Sequence, residues 1–572
     1  MAALVAPQIL YPDGRLAAAG GVLSANGGAW PHGRMGDPNE PGFAFARACD
    51  FAPTALAGRR AAFEGPQPFD PSLRNFDLAV AEFCLRRRSE HGAPLYWPPA
   101  RIACPTESWR PDGQGTIMAA GWAEDWMTMQ LRHRHELSLQ PTLEAKGRPP
   151  HDRTRPRSIL YIDAVTPAPD QNAGSIEVMS QLKVLGDFGF RVTFIPEGNF
   201  ACQGAYTEAL QKMGVETIHY PYFTTVRAVL EAARGQFDVV VLCRAYIAER
   251  YLPMVRELAP QAKVVFYTVD LHFLREQREA ALSGDAVAQA AAERSMATEL
   301  ASVASADATI VHSSLERDLL LRELPGARLL LLPLMRAVPA TLTSPGPEAR
   351  RDIIFVGTYQ HPPNQDAAIF FAREVWPLVR PRLPEARFLV IGSAMTAKVE
   401  ALAGDGVEVL GFVSDLQPLL ETARISVAPL RYGAGLKGKV ATTLQAGLPT
   451  VVTSVAAEGV ALQDGREVLI ADTAQDLADA VVRLYTDDVL WRSLAREGFA
   501  FARREFSFEA NLPRIARLLA ELNVATPESD RVLAVATLDS ERVLLEADLA
   551  QGDPVFRPFN SGRRCRRRIR RG

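Results

Sequence analysis

From position 158 onward, short aliphatic and β-branched runs alternate with amphipathic stretches of helical period. The runs are SILYID, RVTFIP, VETIHY, DVVVLC, KVVFYTVD, DATIVHSS and RLLLLP, with helices expected at 175–188, 206–213 and 286–305. Apolar runs this short, spaced by helices, are the pattern of a parallel sheet covered on both faces. A Pro-rich break, VPATLTSPGPE, separates this series from a second one: DIIFVG, RFLVIG, VEVLGF, ISVAPL, TVVTS and EVLIAD. Helices are expected there at 364–380, 416–422, 436–446, 477–485, 490–504 and 509–523. The pattern predicts two doubly wound α/β domains, 158–340 and 341–523, that face each other across a cleft at the carboxyl ends of their strands.

The flanks read differently. Residues 1–125 are rich in Gly, Pro and aromatics, and predict short strands and loops around one or two helices, one of them at 76–90. Residues 126–157 turn polar and contain RPPHDRTRPR, which no core would accept; they read as a linker. Residues 524–572 are weakly patterned and place seven arginines in the last ten positions. The expected state is a solvated, disordered tail, with peripheral contact to anionic lipid as the rival reading.

With 572 residues the chain is too long for one ordinary core. Its 63 basic and 66 acidic residues sum to a net charge of -3, which gives no overall field for nucleic acid, and no such partner is expected. The six cysteines show neither CxxC nor Cys/His metal spacing, so no disulfide framework or zinc site is expected. The N-terminus lacks the pattern of a signal peptide, and no run is apolar for long enough to cross a bilayer. A cytoplasmic protein, at most peripheral to the inner face of the membrane, is expected.

Candidate chemistry concentrates in the loop Arg431-Tyr432-Gly433-Ala434-Gly435-Leu436-Lys437-Gly438-Lys439. Glycines admit a ligand close to the backbone, and amides at the start of the following helix favour an anion. Only seven of the 63 basic residues are Lys, and two of them, Lys437 and Lys439, lie here. A compact ammonium suits phosphate, so Arg431, Gly435, Lys437 and Lys439 are expected to hold a diphosphate. A solvated helix start is the rival reading. Elsewhere Gly174 and Ser175 lie between a strand and a helix, and Arg244 and Tyr246 follow DVVVLC; these four are expected to meet an acceptor. Asp270 and His272 place a carboxylate and an imidazole at a strand's carboxyl end and are the candidates for catalysis, against the rival reading of a structural histidine. His361 lies in a turn expected to face the same cleft. Arg275 reads as helix surface.

These segments resemble the group 1 (family 4) retaining glycosyltransferases over about 158–523. The likeness rests on ILYIDAVTPAPDQNAGS, FYTVDLHFLRE, FVGTYQHPPNQDAA and GAGLKGKV with its sequel GLPTVVTSVAAEG. The resemblance implies the GT-B fold and transfer of a sugar, with retention and without metal or other cofactor, from a nucleotide-diphosphate donor to a glycan or lipid-linked acceptor in cell-surface polysaccharide assembly. Gly357 matches the family's glycine. The Arg and Lys that commonly follow it are represented by Thr358 and Asn364, and the family's paired acids fall on Ala434 and Thr442, which leaves Thr442 or Glu458 for the donor ribose. That departure keeps a second reading open, a non-catalytic module that binds nucleotide or glycan within a larger assembly. A sugar epimerase ranks third.

Residues 1–125, with CDFAPTALAGRRAAFEGPQPFDPSLRNFDLAVAEFCLRRRSEHGAPLYWPPARI, look like the latter half of a family 2 glycosyltransferase of GT-A fold. The family's acidic pair falls on Ala79-Val80. Independent catalysis is not expected of this segment. A docking module and a separate family 2 partner are the implied roles, and its sheet edges need cover from the GT-B part or from another chain.

Overall fold

The computed structural model describes residues 3–65, 67–103, 122–138, 140, 157–171, 173–198, 200–343 and 345–537. The Arg-rich end and most of RPPHDRTRPR lie outside them. The first unit contains β1 (Leu4–Leu10), β2 (Leu16–Ala19), β3 (Gly21–Leu23), β4 (Ala29–Pro31), β5 (Arg47–Ala48), β6 (Ala57–Gly58) and β7 (Leu95–Ala103). β1 runs parallel to β7 and antiparallel to β2 and β6, β5 pairs antiparallel with β7, and β3 and β4 form a hairpin. The helix expected at 76–90 spans Phe76–His91, capped by the Asn75 side chain, and its Leu78, Val80, Phe83 and Cys84 fill the core beneath the sheet. Met129 and Leu137 are buried in the same core, from the helices Trp122–Arg132 and Arg134–Ser138. The segment read as a linker from 126 therefore begins as part of this unit, because an amphipathic helix among polar residues still buries one face.

The next sheet is wholly parallel: β8 (Ser158–Asp163), β9 (Arg191–Pro196), β10 (Glu216–Thr217), β11 (Val239–Cys243), β12 (Lys263–Tyr267), β13 (Ala308–Val311) and β14 (Leu329–Leu331), in the order β10-β9-β8-β11-β12-β13-β14. Every residue of β8 and β11 is buried, as a sheet covered on both faces requires. The third sheet holds β15 (Ile353–Val356), β16 (Phe388–Ile391), β17 (Val407–Gly411), β18 (Ile425–Ala428), β19 (Thr450–Val452) and β20 (Leu469–Ile470), in the order β17-β16-β15-β18-β19-β20. Both orders reverse direction beside the first strand, which makes each sheet a Rossmann-like lobe with its ligand crevice at that switch point.

Two features depart from the expected domain limits. Helix Phe508–Glu521 leaves the second lobe and packs Ile515, Ala516, Leu518 and Leu519 against Val178, Leu182 and Phe188 of the first. The chain beyond 523 continues this contact: Val524 is buried, Thr526 Oγ1 donates to Phe188 O, and Val532 and Leu533 join the same core. The covalent crossings are thus tied to the first lobe, where the buried Glu177 carboxylate pairs with Arg336 and accepts from Met335 N. The N-terminal unit also docks on this lobe. Phe45, 1% exposed, meets His219 and Tyr222 edge-on at 5.3 Å each and stacks on Phe223. Among the described residues, no helix is long and apolar enough to cross a membrane.

Candidate functional site

The carboxyl ends of the two parallel sheets enclose a cavity of about 680 Å³ lined by both lobes. Several helices begin at its wall. Helices Ala245–Leu258, Pro362–Phe370 and Gly438–Gln445 have N-caps Arg244, His361 and Lys437, none of which makes a side-chain cap, and Gly174 lies in the first turn of Ala173–Asp187. The uncapped starts of Ala245–Leu258 and Gly438–Gln445 offer an anion backbone amides and the positive ends of helix dipoles. That of Pro362–Phe370 offers no free amide, since Pro362 and Pro363 carry no N–H and the next two amides donate to His361 O.

The second lobe supplies the cations. Lys437 Nζ donates to Ala434 O at 2.9 Å and Gly435 O at 2.6 Å, and Lys439 Nζ donates to Asn364 Oδ1 at 2.8 Å while lying 5.5 Å from the Phe355 ring centre. Burial pushes Lys437 down to about 8, against the pull of Glu316, Glu458 and Asp270. Burial and the charge of Lys437 push Lys439 down to about 7. Both amines line the cavity, and neither is in an ion pair with a carboxylate among the described residues. His361 is held neutral, pushed down to about 4 by burial and by the nearby Arg275 and Lys439. Glycine is required where the loop is tightest: Gly435 has φ 66°, and a Cβ there would sit 3.0 Å from Asp270 Cβ. Gly392 lets the ends of β15 and β16 meet, since a Cβ on it would lie 1.7 Å from Gly357 O.

The first lobe supplies an ionic cluster on a strained backbone. Val269 and Arg244 have φ of 68° and 86°, conformations that cost a residue with a Cβ roughly 1–3 kcal/mol each and that gather at ligand sites. Asp270 takes Arg275 Nη1 at 2.6 Å and pairs with His272 at 3.3 Å. Although burial opposes its charge, the His272 contact and the Arg275 guanidinium hold its carboxyl well below the usual range. Arg244 Nε donates to the buried Asp163 at 2.7 Å. Glu316 joins the lobes: it accepts from Leu271 N at 3.2 Å and from Gly435 N at 3.1 Å, and burial pushes its carboxyl up.

Most residues singled out in the sequence line this cavity: Gly174, Arg244 and Asp270 from the first lobe, and Gly357, Thr358, His361, Asn364, Gly435, Lys437, Lys439 and Thr442 from the second. Five do not. Arg431 is turned outward into a pair with Asp366 and over the Phe370 ring. Glu458 is held bidentate by Arg278, at 2.6 and 2.8 Å, and so is not directed to a ribose. His272 stands behind Asp270, Ser175 is buried in its helix, and Tyr246 lies outside the wall. Thr358 and Ser393 donate to Gln171 O at 2.9 and 3.0 Å, a contact between lobes rather than a diphosphate grip. The sequence reading missed Gln171, Arg275, Arg278 and Glu316. For Arg275 a signal existed, its position one turn into a helix that begins at a strand's carboxyl end. Among the described residues no group of three or more His, Cys, Asp or Glu side chains is arranged to hold a metal ion.

Residues 350–487, within the second lobe, match the family model described as glycosyl transferases group 1. An uncharacterized 44.6 kDa protein in the cps region of Klebsiella pneumoniae is 23% identical over 164 residues, which is 27% of this chain and 42% of that protein. The chain thus spans less than half the length of that curated relative. Sucrose-phosphate synthase from Thermosynechococcus elongatus is similar with a TM-score of 0.51 and 17% identity, covering 65% of this chain and 100% of that one. Anabaena HepE, solved in complex with UDP and glucose, is similar with a TM-score of 0.50 and 14% identity, covering 64% and 100%. At these identities the likeness is one of fold, the facing Rossmann-like lobes of GT-B.

Proposed function

We propose that this protein is a glycosyltransferase that takes a sugar from a nucleotide-diphosphate donor held mainly by the second lobe and passes it to an acceptor held mainly by the first. The observation that carries the reading is the charge of the cavity's second-lobe wall. The uncapped start of helix Gly438–Gln445 and two half-buried ammonium groups face the cavity, while no carboxylate of that lobe lines it among the described residues. Such a wall suits a group whose negative charge grows as its bond breaks. As the bond from the anomeric carbon to the β-phosphate oxygen breaks, its electron pair stays on that oxygen. The acceptor oxygen bonds to the carbon, and its proton passes to the departing phosphate. Retention, and activity without metal, follow from the family likeness of the motifs. The cps-region relative supports a role in surface polysaccharide assembly; a glycan or lipid-linked acceptor and a place at the cytoplasmic face of the membrane follow from the family likeness of the motifs alone.

A second reading, a non-catalytic nucleotide- or glycan-binding module, is favoured by one observation. Thr442 lines the cavity where the family has an acid, and Glu458 is engaged by Arg278. Thermal shift with UDP, GDP, ADP and dTDP and their sugars tests both. The expected outcome is stabilisation by one nucleoside diphosphate, weakened at least about tenfold in affinity by Lys437→Ala with Lys439→Ala. Release of that nucleotide from its sugar, accelerated by an acceptor, selects the enzyme; binding without release selects the module. No shift with any of them overturns the transferase and leaves a glycan-binding module.

A further inference from the structure

The helix His272–Ser283 belongs to the first lobe, yet it reaches the second-lobe loop that carries the lysines. Arg275 and Arg278 lie three positions apart and so share one face of it. Arg278 Nη1 donates to Gly433 O at 2.6 Å, and the same guanidinium pairs with Glu458 of the second lobe. Arg275 lines the cavity itself. Its Nη1 is held by Asp270 at 2.6 Å, and Asp270 abuts Gly435, whose absent side chain would sit 3.0 Å from Asp270 Cβ. The guanidinium is therefore held by a half-buried carboxylate that itself abuts the glycine loop preceding Lys437.

Resting on the function proposed above, we infer that Arg275 contacts the donor diphosphate from across the cleft, so that a first-lobe cation completes a second-lobe phosphate site only when the lobes are closed. The chemistry fits. A planar fork anchored through one nitrogen keeps its other donors for phosphate oxygens, and a guanidinium is by its chemistry a permanent cation. Burial instead pulls Lys437 and Lys439 toward neutrality while the site is empty. His361 lines the same cavity as Arg275 and feels its charge. Arg275 thus supplies the permanent charge, and Arg278 latches the loop that presents the other two.

The test uses the full-length protein and titration with UDP, GDP, ADP and dTDP. Arg275→Met is expected to lower the affinity for whichever of these the wild type binds by at least tenfold, and Arg275→Lys to fall between that variant and wild type. Glu279→Gln, on the exposed side of the same helix, is expected to stay within about threefold of wild type. Unchanged affinity in Arg275→Met overturns the inference and leaves the proposed function standing. An equal loss in Glu279→Gln also overturns it, because the effect is then one of local structure. If the wild type binds none of the four, the functional reading fails and this inference with it.

Discussion

A half-buried ammonium with no carboxylate beside it is an uncommon arrangement, since a charge drawn out of water shifts its pKa before it accepts the cost. Lys437 and Lys439 show this response, pushed down to about 8 and about 7 by burial. An arriving diphosphate restores their charge, so binding takes up protons wherever the pH lies above these empty-site values. The sign is fixed: affinity is fullest below pH 7 and falls as the pH rises through 7 and 8, by up to about tenfold per unit for each lysine that must be reprotonated. Titration of the bound nucleoside diphosphate between pH 7 and 8.5 checks this, and a flat or rising affinity contradicts it. Arg431 carries no such expectation, because its pair with Asp366 places it outside the cavity.

At the scale of elements, the helix His272–Ser283 shows how a first-lobe segment is set for work in the second. Its N-cap, Leu271, makes no side-chain cap, and the first amides are met from elsewhere: Glu299, 1% exposed on the helix Ala286–Ser305, accepts from His272 N at 3.2 Å and Phe273 N at 2.9 Å. Glu299→Ala removes these acceptors and is expected to cost about 1–2 kcal/mol. Burial pushes the Glu299 carboxyl up to about 7 from its ordinary 4.5, so the folded state holds this proton more tightly than the unfolded one. Its contribution is therefore largest below pH 5 and shrinks by pH 8. Melting of wild type and variant at those two pH values should show the difference narrowing, together with weaker nucleotide binding as Arg275 and Arg278 lose their fixed helix. The strands of both lobes were legible in the sequence because a sheet covered on both faces leaves continuous apolar runs, and the lysine loop because Lys is scarce in this chain. Arg275 was not, because an arginine early in a helix reads as solvated until the opposite lobe is placed over it. Helix 364–380 was legible as a length but not as a shape: it runs Pro362–Phe370, a π-turn Phe371–Val375, then Trp376–Val379. Pro377, which cannot donate to the preceding turn, accounts for the widened register.

For the whole molecule, the first lobe is the hub. Helix Phe508–Glu521 returns from the second lobe to pack on it, and the N-terminal unit rests on it through Phe45. The apolar pattern at 509–523 showed that one face is buried but not against which lobe, which is why the limit expected at 523 fails to describe the packing. The N-terminal contact is narrow and aromatic: Phe45 among His219, Tyr222 and Phe223, and beside it Arg47, 6% exposed. Truncating a buried Phe costs about 3–5 kcal/mol, from lost transfer energy and from the cavity that remains. Here the loss falls on an interface rather than on either core, so its expected effect is separation of the units more than collapse of one. Phe45→Ala is therefore predicted to make limited proteolysis separate the N-terminal unit from the lobes sooner, while the lobes keep their nucleotide affinity, because no described residue of the first unit lines the cavity. If the cavity depended on the docked unit, the affinity would fall with the contact. Retained affinity with faster cleavage would make the N-terminal unit a rider on the first lobe, and equal loss of both would make it part of the machinery that holds the lobes together.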